Sequence, residues 1–165
     1  MSRGPERYRV AFVLTLLVFL HFTLRPLLGN PLWAPDFLLL ALMLFAIRAR
    51  PGQAAIAGFL VGLTGDALVD AAFGAGALAY TVVAYLQAWG KAVFFPDNLL
   101  VNAGFFFTGA WVRDLLVLLA GGQTQGTALL VQLGTWSLVQ AVATTMAGMA
   151  VLLMFRRWLW IGSSA

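Results

Sequence analysis

From Val10 to Phe155 apolar side chains run almost without a break, interrupted only at short turns marked by Pro, Gly, Asn or a charged residue. Such a chain faces a backbone problem before any motif is considered. In hydrocarbon every N–H and C=O must find its partner within the protein, which only helices and closed barrels achieve. The runs are continuous and lack the in-out alternation that a barrel lumen demands, so the segments are read as helices. Hydrophobic residues make up 62% of the 165 residues and charged ones 10%, with a mean hydropathy of +0.92. A soluble domain is about half apolar and about a quarter charged. Because a spanning helix takes about 20 apolar residues, the chain holds about six of them, with short loops and no soluble domain. The expected fold is all-α, a polytopic bundle of six transmembrane helices.

The first span is placed at 10–28. It follows Arg3, Arg7 and Arg9 in the manner of a signal peptide, but no small-x-small cleavage site follows, so it is read as retained. The second, 32–47, opens at Pro35-Asp36. Proline needs no donor at a first helical position, and an acid suits the positive end of the helix dipole. From Pro35 to Ile47 this segment is only about 20 Å long, so Leu32 and Trp33 extend it or neighbours shield it. The third and fourth, 53–69 and 77–95, form a hairpin about the glycine-containing turn from Asp70 to Gly76. The fifth is placed at 99–119. The sixth, 128–155, follows the polar loop from Gly121 to Gly126.

Cations orient these spans. Arg3, Arg7, Arg9, Arg48, Arg50, Lys91, Arg156 and Arg157 all fall on one side, and the three loops around Asn30, Gly74 and Gln123 receive none. A miscount by one helix would divide them between sides, so both termini are expected in the cytoplasm. Trp33, Trp89, Trp158 and Trp160 lie near the expected interfaces, as an aromatic belt requires. The sequence pI of 10.4 rests on ten scattered Lys and Arg that never form a run, so nucleic acid is not an expected partner. With no Cys, disulfides, thiolate metal sites and a cysteine nucleophile are excluded.

An ionisable residue inside a membrane helix is costly and therefore a functional hypothesis by default. Asp66 and Asp70 are four apart, on the helix-three face that also carries Gly58 and Gly62. That face is expected to pack against protein. Arg113 and Asp114, in the middle to outer half of helix five, lie at a depth where Arg113 can pair with Asp66 or Asp70. The plain reading is a tie between helices three and five. A partner contact or a ligand site is the sharper one. His21 and Arg25 are four apart before Pro26; Arg25 is read as snorkelling to the interface, and a lone His is no metal site. On helix six, Gly134, Ser137, Ala141, Thr144 and Gly148 form a small-residue face, for packing within the bundle or for docking another protein's helix. Tyr80, Tyr85 and Gln87 on helix four are compatible with a polar-lined cavity. No zincin, nucleophile-elbow or phosphate-loop pattern is present. No catalytic residue, cofactor or metal is assigned. An intramembrane enzyme using Asp66, Asp70 or Asp114 is the weakest reading.

The segment Pro35-Asp36-Phe37-Leu38-Leu39-Leu40, then Gly58-Phe59-Leu60-Val61-Gly62 with Asp66, then Phe73-Gly74 and Ala84-Tyr85-Leu86, resembles the MreD family of bacterial rod-shape-determining membrane proteins. The resemblance covers most of the chain in length and topology and is sharpest from Gly58 to Leu86. It implies a non-enzymatic subunit of the inner-membrane machinery that builds lateral-wall peptidoglycan. The implied partners are an MreC-like single-span protein, the MreB filament, RodA and its transpeptidase partner, within membrane lipid. The implied fold resembles the substrate-binding subunit of energy-coupling-factor transporters. Gly65 just before Asp66, and the second carboxylate Asp70, depart from the family's pattern. The rival reading is a substrate-binding subunit of such a transporter. In those proteins an Ala-xxx-Ala face on the first helix docks the energising module, whereas the first helix here carries only Ala11.

Overall fold

The computed structural model describes residues 4–27, 34–67, 73–90, 98–122 and 126–159, with side chains placed from 8 to 155 within those ranges. Asp70, Leu32, Trp33, Lys91, Trp160 and Arg3 lie outside the described residues, as do the side chains of Arg7, Arg156, Arg157 and Trp158.

The described residues form seven helices and no strand: α1 (Gly4–Leu27), α2 (Phe37–Ala46), α3 (Pro51–Asp66), α4 (Ala75–Gly90), α5 (Leu99–Gly121), α6 (Thr127–Gly134) and α7 (Trp136–Leu159). Among the described residues three stretches are long and apolar enough to cross a membrane by themselves: Tyr8–Leu27, Leu99–Gly121 and Thr127–Phe155. The last joins α6 and α7. Their junction is an offset at Thr135, where the backbone turns to φ −119° and ψ −70°. The hydroxyl of Thr135 is drawn back onto the Val131 carbonyl at 2.6 Å, and the backbone bonds Thr135 to Val131 and Val139 to Thr135 continue across it.

Helix α2 explains the arrangement. Its sequence is apolar on every side, which suits a helix that is surrounded rather than one with a wet face. Nine of its ten residues are buried. It packs against α1, α3, α4, α5 and α7, which succeed one another around it in the order α1, α7, α5, α4, α3. The core is built on it: Leu39, Leu40 and Met43 of α2 meet Val13 and Leu17 of α1, Tyr80 and Val83 of α4, and Phe106 of α5.

The expected hairpin of the third and fourth segments is present as α3 and α4, in the closest helix pairing of the bundle. A Cβ on Gly58 would stand 2.8 Å from the carbonyl carbon of Tyr80, and one on Gly62 would stand 2.6 Å from the carbonyl oxygen of Gly76. Glycine at both positions is thus what lets the two backbones touch. The turn closes through Gly74, at φ +97°.

Candidate functional site

The buried polar groups gather around Asp36, which is 1% exposed. Asp36 caps α2: its Oδ1 accepts from the Leu39 N–H at 2.9 Å, satisfying one of the donors that a helix start leaves without a partner. Its own N–H donates to Oγ1 of Thr144 on α7, at 3.1 Å. Its Oδ2 accepts from the Tyr80 hydroxyl of α4 at 2.6 Å and stands 3.1 Å from Nη2 of Arg113 on α5. From α1, His21 brings Nδ1 to 3.4 Å from Oδ1 and, at 3.1 Å, takes the Leu38 N–H, the next free donor of α2. Five helices are thereby tied through one residue.

Arg113 extends the cluster. Its Nη1 donates to Asp114 Oδ1 at 2.6 Å, Nη2 reaches the Tyr80 oxygen at 3.3 Å, and the guanidinium lies 5.3 Å from the centre of the Tyr80 ring. Asp114 is also hydrogen-bonded by Ser137 of α7. Such charge-assisted, forked bonds are the strong ones, and burial raises the cost of leaving any member alone. Two buried atoms, Arg113 Nε and Gln87 Nε2, have no partner among the described residues.

The pairing of Arg113 with Asp66 expected from depth along the helices is not made. Asp66 instead turns onto the start of α4, its Oδ2 accepting from Gly74 and Ala77 at 2.9 Å each and its Oδ1 from Gly76 at 3.0 Å. Three backbone donors at a helix N-terminus suit a carboxylate as well as a cation does. The face Gly58, Gly62, Asp66 does pack against protein, namely α4, but it is separate from the Arg113 cluster. Pro35 and Asp36 do start α2, with Asp36 as the cap and Phe37 the first helical residue.

The small-residue face of the last segment also points inward. Ser137, Ala141, Thr144 and Gly148 are buried, and a Cβ on Gly148 would stand 2.8 Å from Leu40 and from Phe106. Four of the five residues considered for docking a partner's helix are therefore occupied by α2 and α5, and only Gly134 is exposed. On α4, Tyr80 and Gln87 are buried while Tyr85 is 46% exposed, so the three do not line one cavity. Arg25 places Nη1 3.4 Å from Nε2 of His21 rather than standing apart.

The arrangement has the chemistry of a tie. The Asp36 carboxylate takes donors from its own helix, from Tyr80 of α4 and from Arg113 of α5. Among the described residues no group of three or more His, Cys, Asp or Glu side chains could hold a metal. Comparison with family models, with curated proteins and with solved structures gives no match to this chain.

Proposed function

We propose that the chain is a non-enzymatic, MreD-like subunit of the bacterial cell-elongation machinery. In this reading it sits in the inner membrane with six spans and both ends in the cytoplasm. It binds an MreC-like single-span protein and helps position or regulate peptidoglycan synthesis for rod shape, in a larger complex with the MreB filament, RodA and its transpeptidase partner.

One observation carries the scaffold reading. Among the residues through which the sequence resembles MreD, Pro35-Asp36 seats α2, and Gly58, Gly62 and Asp66 join α3 to α4. Their charges face inward and are used up in doing so. What the bundle presents outward is apolar, including Phe59 and Leu60 on α3 and Met146 and Met154 on α7. Surfaces of this kind suit lipid and the helix of a membrane partner.

The six-span topology draws support from where the cluster's members lie. They come from the C-terminal halves of α1 and α5 and from the N-terminal ends of α2, α4 and α7. Successive segments must alternate in direction to meet at one level. The short α3 and α4, each 16 residues and about 24 Å long, are supported by each other.

The test is co-purification of the tagged full chain with the MreC-like protein from membranes in a mild detergent. A stable complex of the two is expected. No complex, together with a small molecule that co-purifies with the chain, would overturn the proposal in favour of a transporter's substrate-binding subunit.

A further inference from the structure

His21, the one histidine of the chain, stands among demands that no single protonation state meets. Its Nδ1 is 3.1 Å from the Leu38 N–H and 3.4 Å from Asp36 Oδ1, and its Nε2 is 3.4 Å from Arg25 Nη1. An imidazole nitrogen either carries a proton and donates or is bare and accepts. With the proton on Nε2, bare Nδ1 accepts from Leu38 but faces the carboxylate, and Nε2–H is set against an arginine N–H. With the proton on Nδ1, Asp36 and Arg25 are both served, and the Leu38 N–H loses its acceptor. An imidazolium serves Asp36 alone. The Leu38 contact is the shortest of the three, so the observed geometry is that of a neutral ring protonated on Nε2.

The charges facing the ring are Arg25 on α1 itself, Asp36 at the start of α2 and Arg113 on α5, while Tyr80 of α4 reaches it through Asp36. Asp36 and Asp114 are matched in charge by Arg113 and Arg25, and of these four groups Asp36 is the one whose oxygen stands beside Nδ1. A proton arriving on the ring is therefore taken up beside a carboxylate that can accommodate it. The ring is 11% exposed.

We infer that His21 is a proton-operated tie between α1 and α2. Bare Nδ1 holds the end of α1 to the α2 backbone through Leu38. Protonation moves the tie to Asp36 Oδ1, frees the Leu38 N–H and turns Arg25 away. The inference rests on this geometry and does not depend on the elongation role.

A single histidine makes the test direct. Full-length chain labelled with ¹⁵N-histidine and ¹⁵N-leucine, in phospholipid nanodiscs, yields one imidazole whose two nitrogens can be followed from about pH 8 to about pH 5. At the upper end the bare nitrogen is expected to be Nδ1, coupled to the Leu38 amide. At the lower end both nitrogens are protonated, and the protection of the Leu38 amide, taken relative to the intrinsic exchange rate at each pH, falls up to about tenfold, as loss of one hydrogen bond implies. His21→Asn retains a side-chain acceptor but cannot titrate, so the protection of its Leu38 amide relative to the intrinsic rate is expected to be the same at both pH values. A ring protonated on Nδ1 at about pH 8, a ring still neutral at about pH 5, or an equal Leu38 response in His21→Asn would overturn the inference. If His21→Asn does not fold, the wild-type readings decide alone.

Discussion

Arg113→Leu removes the guanidinium that bridges Asp36 and Asp114 and leaves two carboxylates facing each other's surroundings without it. Their side chains are 2% and 9% exposed, so water cannot take its place. Stranding a buried charge in this way costs about 3–5 kcal/mol. Asp36→Asn keeps the shape and an acceptor for the Leu39 N–H but removes one of the stranded charges. The double variant should therefore be less destabilised than the sum of the two singles, by about 1–3 kcal/mol. Asp66 provides the control. Its carboxylate is taken up by Gly74, Gly76 and Ala77, so Arg113→Leu and Asp66→Asn should add to within about 0.5 kcal/mol. The measurement is equilibrium unfolding of the three single and two double variants with wild type, in mixed micelles of fixed composition, followed by circular dichroism. Equal coupling in the two cycles, or none between Arg113 and Asp36, would refute the assignment of Asp36 as the arginine's buried partner.

Two predictions concern the α3–α4 hairpin and use the same unfolding measurement. Gly58→Ala and Gly62→Ala push a methyl group into the backbone of α4 and should each cost about 1–3 kcal/mol. Gly65→Ala, with nothing within 4 Å of the added carbon, should be neutral or stabilising by up to about 1 kcal/mol; similar values at all three sites would mean the helices are not in backbone contact. Asp66→Ala leaves three backbone donors at the start of α4 without their acceptor and should cost about 1–3 kcal/mol. It should also speed amide exchange at Gly74, Gly76 and Ala77, and unchanged protection there would show that the carboxylate is dispensable.

Helix positions were legible because apolar runs and their breakers are local signals. So was the inward face of α3, since Gly58, Gly62 and Asp66 recur at one-turn spacing. The partner of Arg113 was harder, because Asp36 lies outside any helix and 77 positions away in the chain. Considering only carboxylates within helices points to Asp66. Depth gives no ground for that preference, since the bundle brings the start of α2 to the same level as the C-terminal half of α5. His21 was missed for the same reason: on its own helix it has only Arg25 near it, and its carboxylate enters from the next segment. The offset at Thr135 has no proline to mark it, and a run that stays apolar through it conceals it.

The short helix and the charged cluster are one feature. Helix α2 is about 15 Å long, half the hydrocarbon thickness. Its neighbours cover it on all sides, and nine of its ten residues are buried. Its cap Asp36 is 1% exposed and its first three residues are buried, so its beginning lies inside protein, where no water can reach the donors that every helix start leaves free. Asp36 supplies a cap to Leu39 and His21 one to Leu38. A carboxylate in so dry a place must then be neutralised, which calls for Arg113 and the Tyr80 hydroxyl, and Arg113 in turn draws on Asp114. The chain of requirements begins with ending an apolar helix inside a bundle. It explains why ionisable residues are retained in a protein that is otherwise so poor in charge.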